Sequence, residues 1–315
     1  MNNAHVYAKI IEIFLIFILD NTNIMHYNTT YKIKKRKEEK TMKKILCLVL
    51  AMLLVVTCLA GCGSNNDAVT KLAVQKGTTS FMYADMIKNV TVVPYDTFAL
   101  AANDMKNGNA DYVVVDKTTG NAICKEIAGL KIIDIPLSSE NYGIAIDPNQ
   151  ADLKTKIDQI LVDKAAEIDA IKEKYMNGET DKYVGVTSGS KDVAKAAEQL
   201  VVATNAEFAP WEYKEGNKFY GIDMEIAQLF ATELGLELVI DDMEFDMVVG
   251  AVGKQGVDIA MSGITITVER MEVVNFSAPY YTESIVVVCQ EDDTSLASAG
   301  TVVDVLTALC KGTEE

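Results

Sequence analysis

The stretch of this sequence best suited to chemistry is Ser262-Gly263-Ile264-Thr265-Ile266-Thr267-Val268-Glu269-Arg270. It follows an apolar run, Val257 to Met261, and closes on the only arginine beyond residue 36. A strand that opens into hydroxyls, next to the fixed fork of a guanidinium, is a place to hold a carboxylate. The same residues also read as a strand end, a helix cap at Thr267 and a surface arginine.

Positioning such a group falls to alternating strands and helices. Leu72–Gln75 reads as a short strand and 80–88 as a helix. Val90–Pro94 is a strand, and Thr97–Lys106 a helix stopped by Asn107-Gly108-Asn109. Asp111–Asp116 is continuously apolar, as in a sheet covered on both faces. A helix follows at 117–127, then strands at 131–136 and 142–146. The apolar spacing of 152–176 predicts one long amphipathic helix or a broken pair. The second half repeats the pattern: strands at 199–204, 236–241, 257–261 and 284–288, and helices at 223–234 and 245–253, with a helical turn at 268–272. This alternation predicts an α/β fold of mostly parallel sheets flanked by helices, with ligands beyond the carboxyl ends of strands. Gly178, Gly185, Gly189, Ser188 and Ser190 mark 177–198 as a linker. Residues 291–315 form a tail, helical at 302–309 and expected to be the least ordered part.

The amino end has a different character. Residues 43–62 carry two lysines, an apolar core and the small-residue exit Leu59-Ala60-Gly61-Cys62, which resembles the lipobox of bacterial lipoproteins. Residues 42–61 are thus expected to be a lipoprotein signal peptide. Cys62 is the expected lipidation site and 62–69 a polar tether. A membrane-spanning helix needs about 20 apolar residues, more than Ile45 to Ala60 provides. Met42 is the natural start, and 1–41 is expected to be translated leader or disordered.

Beyond residue 61 the net charge is about −21. Such a surface repels phosphates and excludes nucleic acid as a partner. The only histidines, His5 and His26, lie in the leader. The expected mature chain therefore has no imidazole metal site and no Ser–His or Cys–His nucleophile pair, and no metal or cofactor is expected. Cys124, Cys289 and Cys310 stand apart and read as buried apolar residues rather than a disulfide. No carboxylate pair suggests an acid or base, so an enzyme is not expected.

Five ordered blocks carry a family resemblance: Val201 to Tyr213, Tyr220 to Met224, Met243 to Asp246, Gly256 to Arg270, and Asn275 to Tyr281. They resemble the first lobe of the extracellular solute-binding proteins of amino-acid ABC transporters, family 3. Val74-Gln75-Lys76-Gly77-Thr78-Thr79, Asn107 to Asp116 and Tyr142 to Ile146 look like the second lobe. The resemblance implies a two-lobed periplasmic-binding-protein type II fold with permuted connectivity, because the second lobe comes first. It divides the chain into a second-lobe-like domain at 70–147, closing helices at 148–176, the linker at 177–198 and a first-lobe-like domain at 199–290. A rearranged or truncated gene without transport activity is the rival.

By the family pattern, Arg270 clamps the carboxylate of an amino acid, with Ser262, Gly263 and Thr265 adding hydroxyl and amide bonds. Thr78 and Thr79 would add donors from the other lobe. Asp116 would take the ammonium group or cap a helix. Phe208 and Trp211 would stack on the ligand, with Trp211 partly core, and Asn205 and Phe245 would line a side-chain slot or simply pack. The implied role is capture of a polar or charged amino acid for a membrane permease and its ATPase subunits. The protein would be exported and lipid-anchored to the outer face of the cell membrane. A dehydratase-like enzyme is the other alternative.

Overall fold

A computed structural model describes residues 69–310. The leader, the signal segment, Cys62 and the tether up to residue 68 lie outside the described residues.

The chain runs β1 (Thr70–Gln75), α1 (Thr79–Met86), β2 (Val90–Tyr95), α2 (Phe98–Lys106), β3 (Tyr112–Asp116), α3 (Lys117–Glu126), β4 (Leu130–Ile133), β5 (Glu140–Tyr142), β6 (Ala145–Ile146), α4 (Ala151–Asp163) and α5 (Ala165–Met176). Two 3-10 turns then lead to β7 (Gln199–Thr204), β8 (Glu207–Phe208), β9 (Glu212–Glu215), β10 (Lys218–Tyr220), α6 (Ile222–Leu234), β11 (Glu237–Asp242) and α7 (Phe245–Ala251). The last elements are β12 (Ile259–Ala260), α8 (Val268–Met271), β13 (Asn275–Phe276), β14 (Tyr281–Glu283), β15 (Ile285–Gln290) and α9 (Val302–Leu309).

Two five-stranded sheets organise two lobes. One has the order β2-β1-β3-β15-β4 and the other β11-β7-β12-β6-β13. In the first, β1 pairs in parallel with β2 and β3, while β15 runs antiparallel between β3 and β4. In the second, β11, β7 and β12 are parallel and β6 is antiparallel to β12 and β13. Each half of the chain thus lends one antiparallel strand to the sheet of the other. The two crossing segments meet at β5 and β14, which pair antiparallel with Glu283 opposite Glu140. We call the lobe of β1–β4 and β15 the N lobe, and that of β6, β7 and β11–β13 the C lobe.

Side-chain alternation explains the layers. In the N lobe, Leu72, Val74, Val114, Val287 and Cys289 point to one face, and Ala73, Val113, Val115, Val286 and Val288 to the other. α2 covers the second face with Phe98, Ala101, Ala102 and Met105. The first face is covered by α1 and α9, whose Val305, Leu306 and Leu309 are buried against it. The described part of the tail is therefore a core element, and its helix starts on a capping box between Thr301 and Asp304. In the C lobe, α6 is buried around most of its circumference, from Ile222 to Ala231. Its fully buried Ile222, Met224, Ile226 and Phe230 contribute about 1.5–3 kcal/mol each.

The apolar pattern at 152–176 resolves as the broken pair, α4 and α5, with Lys164 between them. The segment read as a linker is tied down: Val186 bridges Phe219, and Ser188 exchanges hydrogen bonds with the Ile240 backbone. Cys289 is buried, Cys124 and Cys310 are half-buried, and all three are free thiols. Among the described residues no helix is long and apolar enough to cross a membrane.

Candidate functional site

The carboxyl ends of β1, β3 and β12 converge on one cavity between the lobes. Gln75, Thr78, Thr79 and Asp116 line it from the N lobe. Phe208, Phe245, Ser262, Gly263, Thr265 and Arg270 line it from the C lobe. Its volume is about 10 Å³, room for roughly one water. The lobes are in close contact around it. Gly77, at φ +73°, lies so near α7 that a Cβ there would stand 2.8 Å from the Asp246 Cα. Gly263, at φ +52°, would put a Cβ 2.8 Å from the Phe208 ring.

Arg270 follows the Thr267 cap of the short α8, whose hydroxyl accepts from the Arg270 N–H. Its guanidinium donates to the Thr265 carbonyl at 2.9 Å in its own lobe and to the Gly77 carbonyl at 3.0 Å in the other. It lies over the Phe245 ring, 5.7 Å from the centroid. Asp116 ends β3 and precedes α3, but its side chain makes no cap hydrogen bond. It is 4 % exposed, and its Oδ1 has no hydrogen-bond partner. The helix-cap reading of Asp116 therefore gives way to a carboxylate held at the cavity with an acceptor unused.

The other residues named from sequence separate into two groups. Phe208 and Phe245 line the cavity. Trp211 does not: it is fully buried under the crossing strands, edge-on to Tyr142 at 4.9 Å and Tyr281 at 4.7 Å. Asn205 is buried beside the cavity as an inter-lobe bridge, accepting from Gln75 Nε2 at 2.9 Å and donating to the Met243 carbonyl. Thr78 caps α1, accepting from the Phe81 N–H and donating to the Gln75 carbonyl, so its hydroxyl proton is not free for a ligand. Ser262 donates to Glu212, and the Gly263 N–H donates to Asp223.

Three residues were missed: Glu140, Tyr142 and Glu283. Glu140 Oε2 accepts from Thr265 Oγ1 at 2.6 Å and Thr79 Oγ1 at 2.7 Å. Burial pushes its carboxyl above the usual range, against the pull of those hydroxyls and of Arg270. Burial, then repulsion from Glu140 and Glu283, pushes Asp116 well above the usual range. Burial also raises Glu283, whose carboxylate accepts from Thr118. Tyr142 is fully buried, its hydroxyl without a partner, and burial and the surrounding carboxyls raise it. The expectation that no carboxylate pair exists is thus corrected: folding gathers Asp116, Glu140 and Glu283 from segments far apart in sequence. Glu207, Glu244 and Asp246 are exposed, as solvated charges. Among the described residues no group of three or more His, Cys, Asp or Glu is arranged to hold a metal ion.

The family model for bacterial extracellular solute-binding proteins, family 3, matches residues 200–313. The arginine-binding extracellular protein ArtP of Bacillus subtilis is 38 % identical over 105 residues, 33 % of this chain and 40 % of that protein. A cyclohexadienyl dehydratase of Pseudomonas aeruginosa is 33 % identical over 96 residues, 30 % of this chain and 36 % of that protein. Among solved structures, the arginine-bound form of domain 1 from TmArgBP is 31 % identical, with 38 % of this chain and 98 % of that chain covered and a TM-score of 0.27. The chain spans about two fifths of the length of the curated relatives it matches. The match runs through β15 and α9, so the segment read as a tail continues the matched region. Residues 200–313 are thus similar to the bacterial extracellular solute-binding proteins, family 3.

Proposed function

We propose that this protein captures a cationic amino acid in the cleft between its lobes and delivers it to a membrane permease with its ATPase subunits. One observation carries the reading. Arg270, a carboxylate-binding fork held at both lobes, shares a cavity with Asp116, a buried carboxylate with an unused acceptor. Three buried carboxyls against one guanidinium favour a ligand that brings extra positive charge. The relatives named as arginine-binding support the same class. A cavity of about 10 Å³ is far smaller than an amino acid, so the lobes must part at β5 and β14 to admit one.

The order of the lobes, read from the resemblance, is permuted relative to the family, with 70–176 serving as the second lobe. The exchange of β6 and β15 supports assembly within one chain. Isothermal titration of the purified protein against the twenty amino acids tests both points. Saturable heat with arginine or lysine, one ligand per monomeric protein, is the expected result. Silence from folded protein would leave only a rearranged fragment, and binding confined to a dimer would sink single-chain assembly.

The lipobox-like segment supports export with a lipid anchor at Cys62. Mass spectrometry of the cellular protein is expected to find a diacylated Cys62 as the first residue. Unmodified peptides spanning residues 42–62 would count against the anchor. A dehydratase-like enzyme is the second reading, favoured by the buried acids Asp116 and Glu140 and by the dehydratase relative. Turnover of a cyclohexadienyl substrate would support it over binding alone.

A further inference from the structure

The hydroxyl protons of the cleft all run into the protein. Thr79 and Thr265 both donate to Glu140 Oε2, Thr78 donates to the Gln75 carbonyl, and Ser262 donates to Glu212. A hydroxyl has one proton and two lone pairs. Once the proton is committed inward, only lone pairs remain to face the cavity. Asp116 Oδ1 adds another bare acceptor on the same wall. Arg270 is the counterpart, a donor without acceptor capacity.

Glu140 is well placed to impose this polarity. It is 5 % exposed, and its backbone is fixed in the β5–β14 ladder. Its second oxygen takes the Ser138 hydroxyl at 3.4 Å, so the carboxylate is held from both sides. Thr265 also supplies the carbonyl that orients Arg270, so its hydroxyl lies beside the carboxylate clamp. In an α-amino acid the ammonium sits on the carbon next to the carboxylate. A ligand carboxylate on Arg270 therefore brings its α-ammonium toward Thr265.

Resting on the amino-acid-binding reading above, we propose that Glu140 is a positioning residue for specificity. By taking the protons of Thr79 and Thr265 it turns both hydroxyls into acceptors, and the cleft then selects an α-ammonium over an α-hydroxyl. Glu140 acts through the two threonines and does not itself touch the ligand. An ammonium has three protons and a charge to offer this wall, whereas an α-hydroxyl has one proton and no charge. Glutamine at position 140 presents an amide N–H where a carboxylate oxygen stood. That N–H donates to a threonine hydroxyl and frees its proton to turn toward the cleft.

The test is titration of the full chain and its variants with L-arginine and with its α-hydroxy analogue, argininic acid. The wild type is expected to prefer arginine, and Glu140→Gln to cut that preference about tenfold, the scale of one charge-assisted hydrogen bond. Thr265→Val, which removes one of the wired hydroxyls, is expected to cut the preference similarly and decides the matter if Glu140→Gln fails to fold. An unchanged preference in the variants, or equal weakening of both ligands, would overturn the role of Glu140 and leave the binding reading standing. Silence of the wild type toward both probes would remove the binding reading and this inference with it.

Discussion

Replacing Arg270 by alanine is expected to abolish measurable amino-acid binding while leaving the two-lobed fold intact. The guanidinium is the one side chain of the cleft lining that can only donate, and its two hydrogen bonds go to backbone carbonyls rather than to a buried carboxylate partner. Loss of one member of a buried charge pair costs about 2–5 kcal/mol, or roughly thirty- to several-thousand-fold in Kd. The fold loses less. Arg270 is half-buried on a four-residue helix at the rim, and no core cluster contains it. The carbonyls of Thr265 and Gly77 would be left beside the opened cleft, where water can reach them. The measurement is a pair of titration and thermal-unfolding curves. Unchanged affinity would refute the clamp, and a collapse of the thermal midpoint would recast Arg270 as an inter-lobe strut.

The resemblance pointed to Asp116, Thr78, Thr265 and Arg270, and all four line one cavity. Asp116 ends a strand whose other residues are all apolar or aromatic, and Thr78 opens a helix after Gly77. Thr265 and Arg270 flank a helix cap. Local pattern puts each of these at the end of an element, and only the resemblance implies a ligand contact for it. Glu140 was missed because Ser138-Ser139-Glu140-Asn141 reads as a polar turn. Only the pairing of β5 with β14, from opposite halves of the chain, buries it beside Glu283. Trp211 was misplaced for a similar reason. Its partners Tyr142, Tyr280 and Tyr281 come from both crossing segments and close over it as core. Composition misled at 177–198 as well. Glycines and serines that mark a mobile linker elsewhere here let the segment lie flat against β10 and β11. The amphipathic 302–309 helix was visible, but its burial depends on the open face of the N-lobe sheet, which no local pattern records.

The largest effect on stability is expected beneath the cleft, at Asp223. This carboxylate, the first turn of α6, is fully buried. It accepts from the Gly263 N–H at 2.9 Å and from the Tyr280 hydroxyl at 2.7 Å. Glu212 faces it, also fully buried, and burial followed by repulsion from Asp223 drives the Glu212 carboxyl well above the usual range. Its Oε1 accepts from the Ser262 hydroxyl, and its Oε2 is buried without a hydrogen-bond partner. Ser262 in turn accepts from the Asn205 N–H. Asp223→Ala strands two donors at once, the Gly263 N–H and the Tyr280 hydroxyl, and is expected to cost about 3–5 kcal/mol, the scale of a broken buried charged network. Glu212→Gln keeps both the shape and an acceptor oxygen for the Ser262 hydroxyl, so it is expected to cost about 1 kcal/mol or less. The pH dependence follows from the same geometry. Burial raises Asp223 from 3.8 to about 6, so the native state holds this proton more tightly than the unfolded chain does. The stability it lends is complete below its ordinary pKa and is lost as pH rises through 6. The thermal midpoint is therefore expected to fall between pH 5 and pH 7 more steeply in the wild type than in Asp223→Asn, which has no proton to lose there. Identical slopes for the two proteins would show that the proton is not bound at Asp223. Equal losses in Glu212→Gln and Asp223→Ala would show that the pair acts by packing rather than by the hydrogen bonds that hold Ser262 and Gly263 at the cleft.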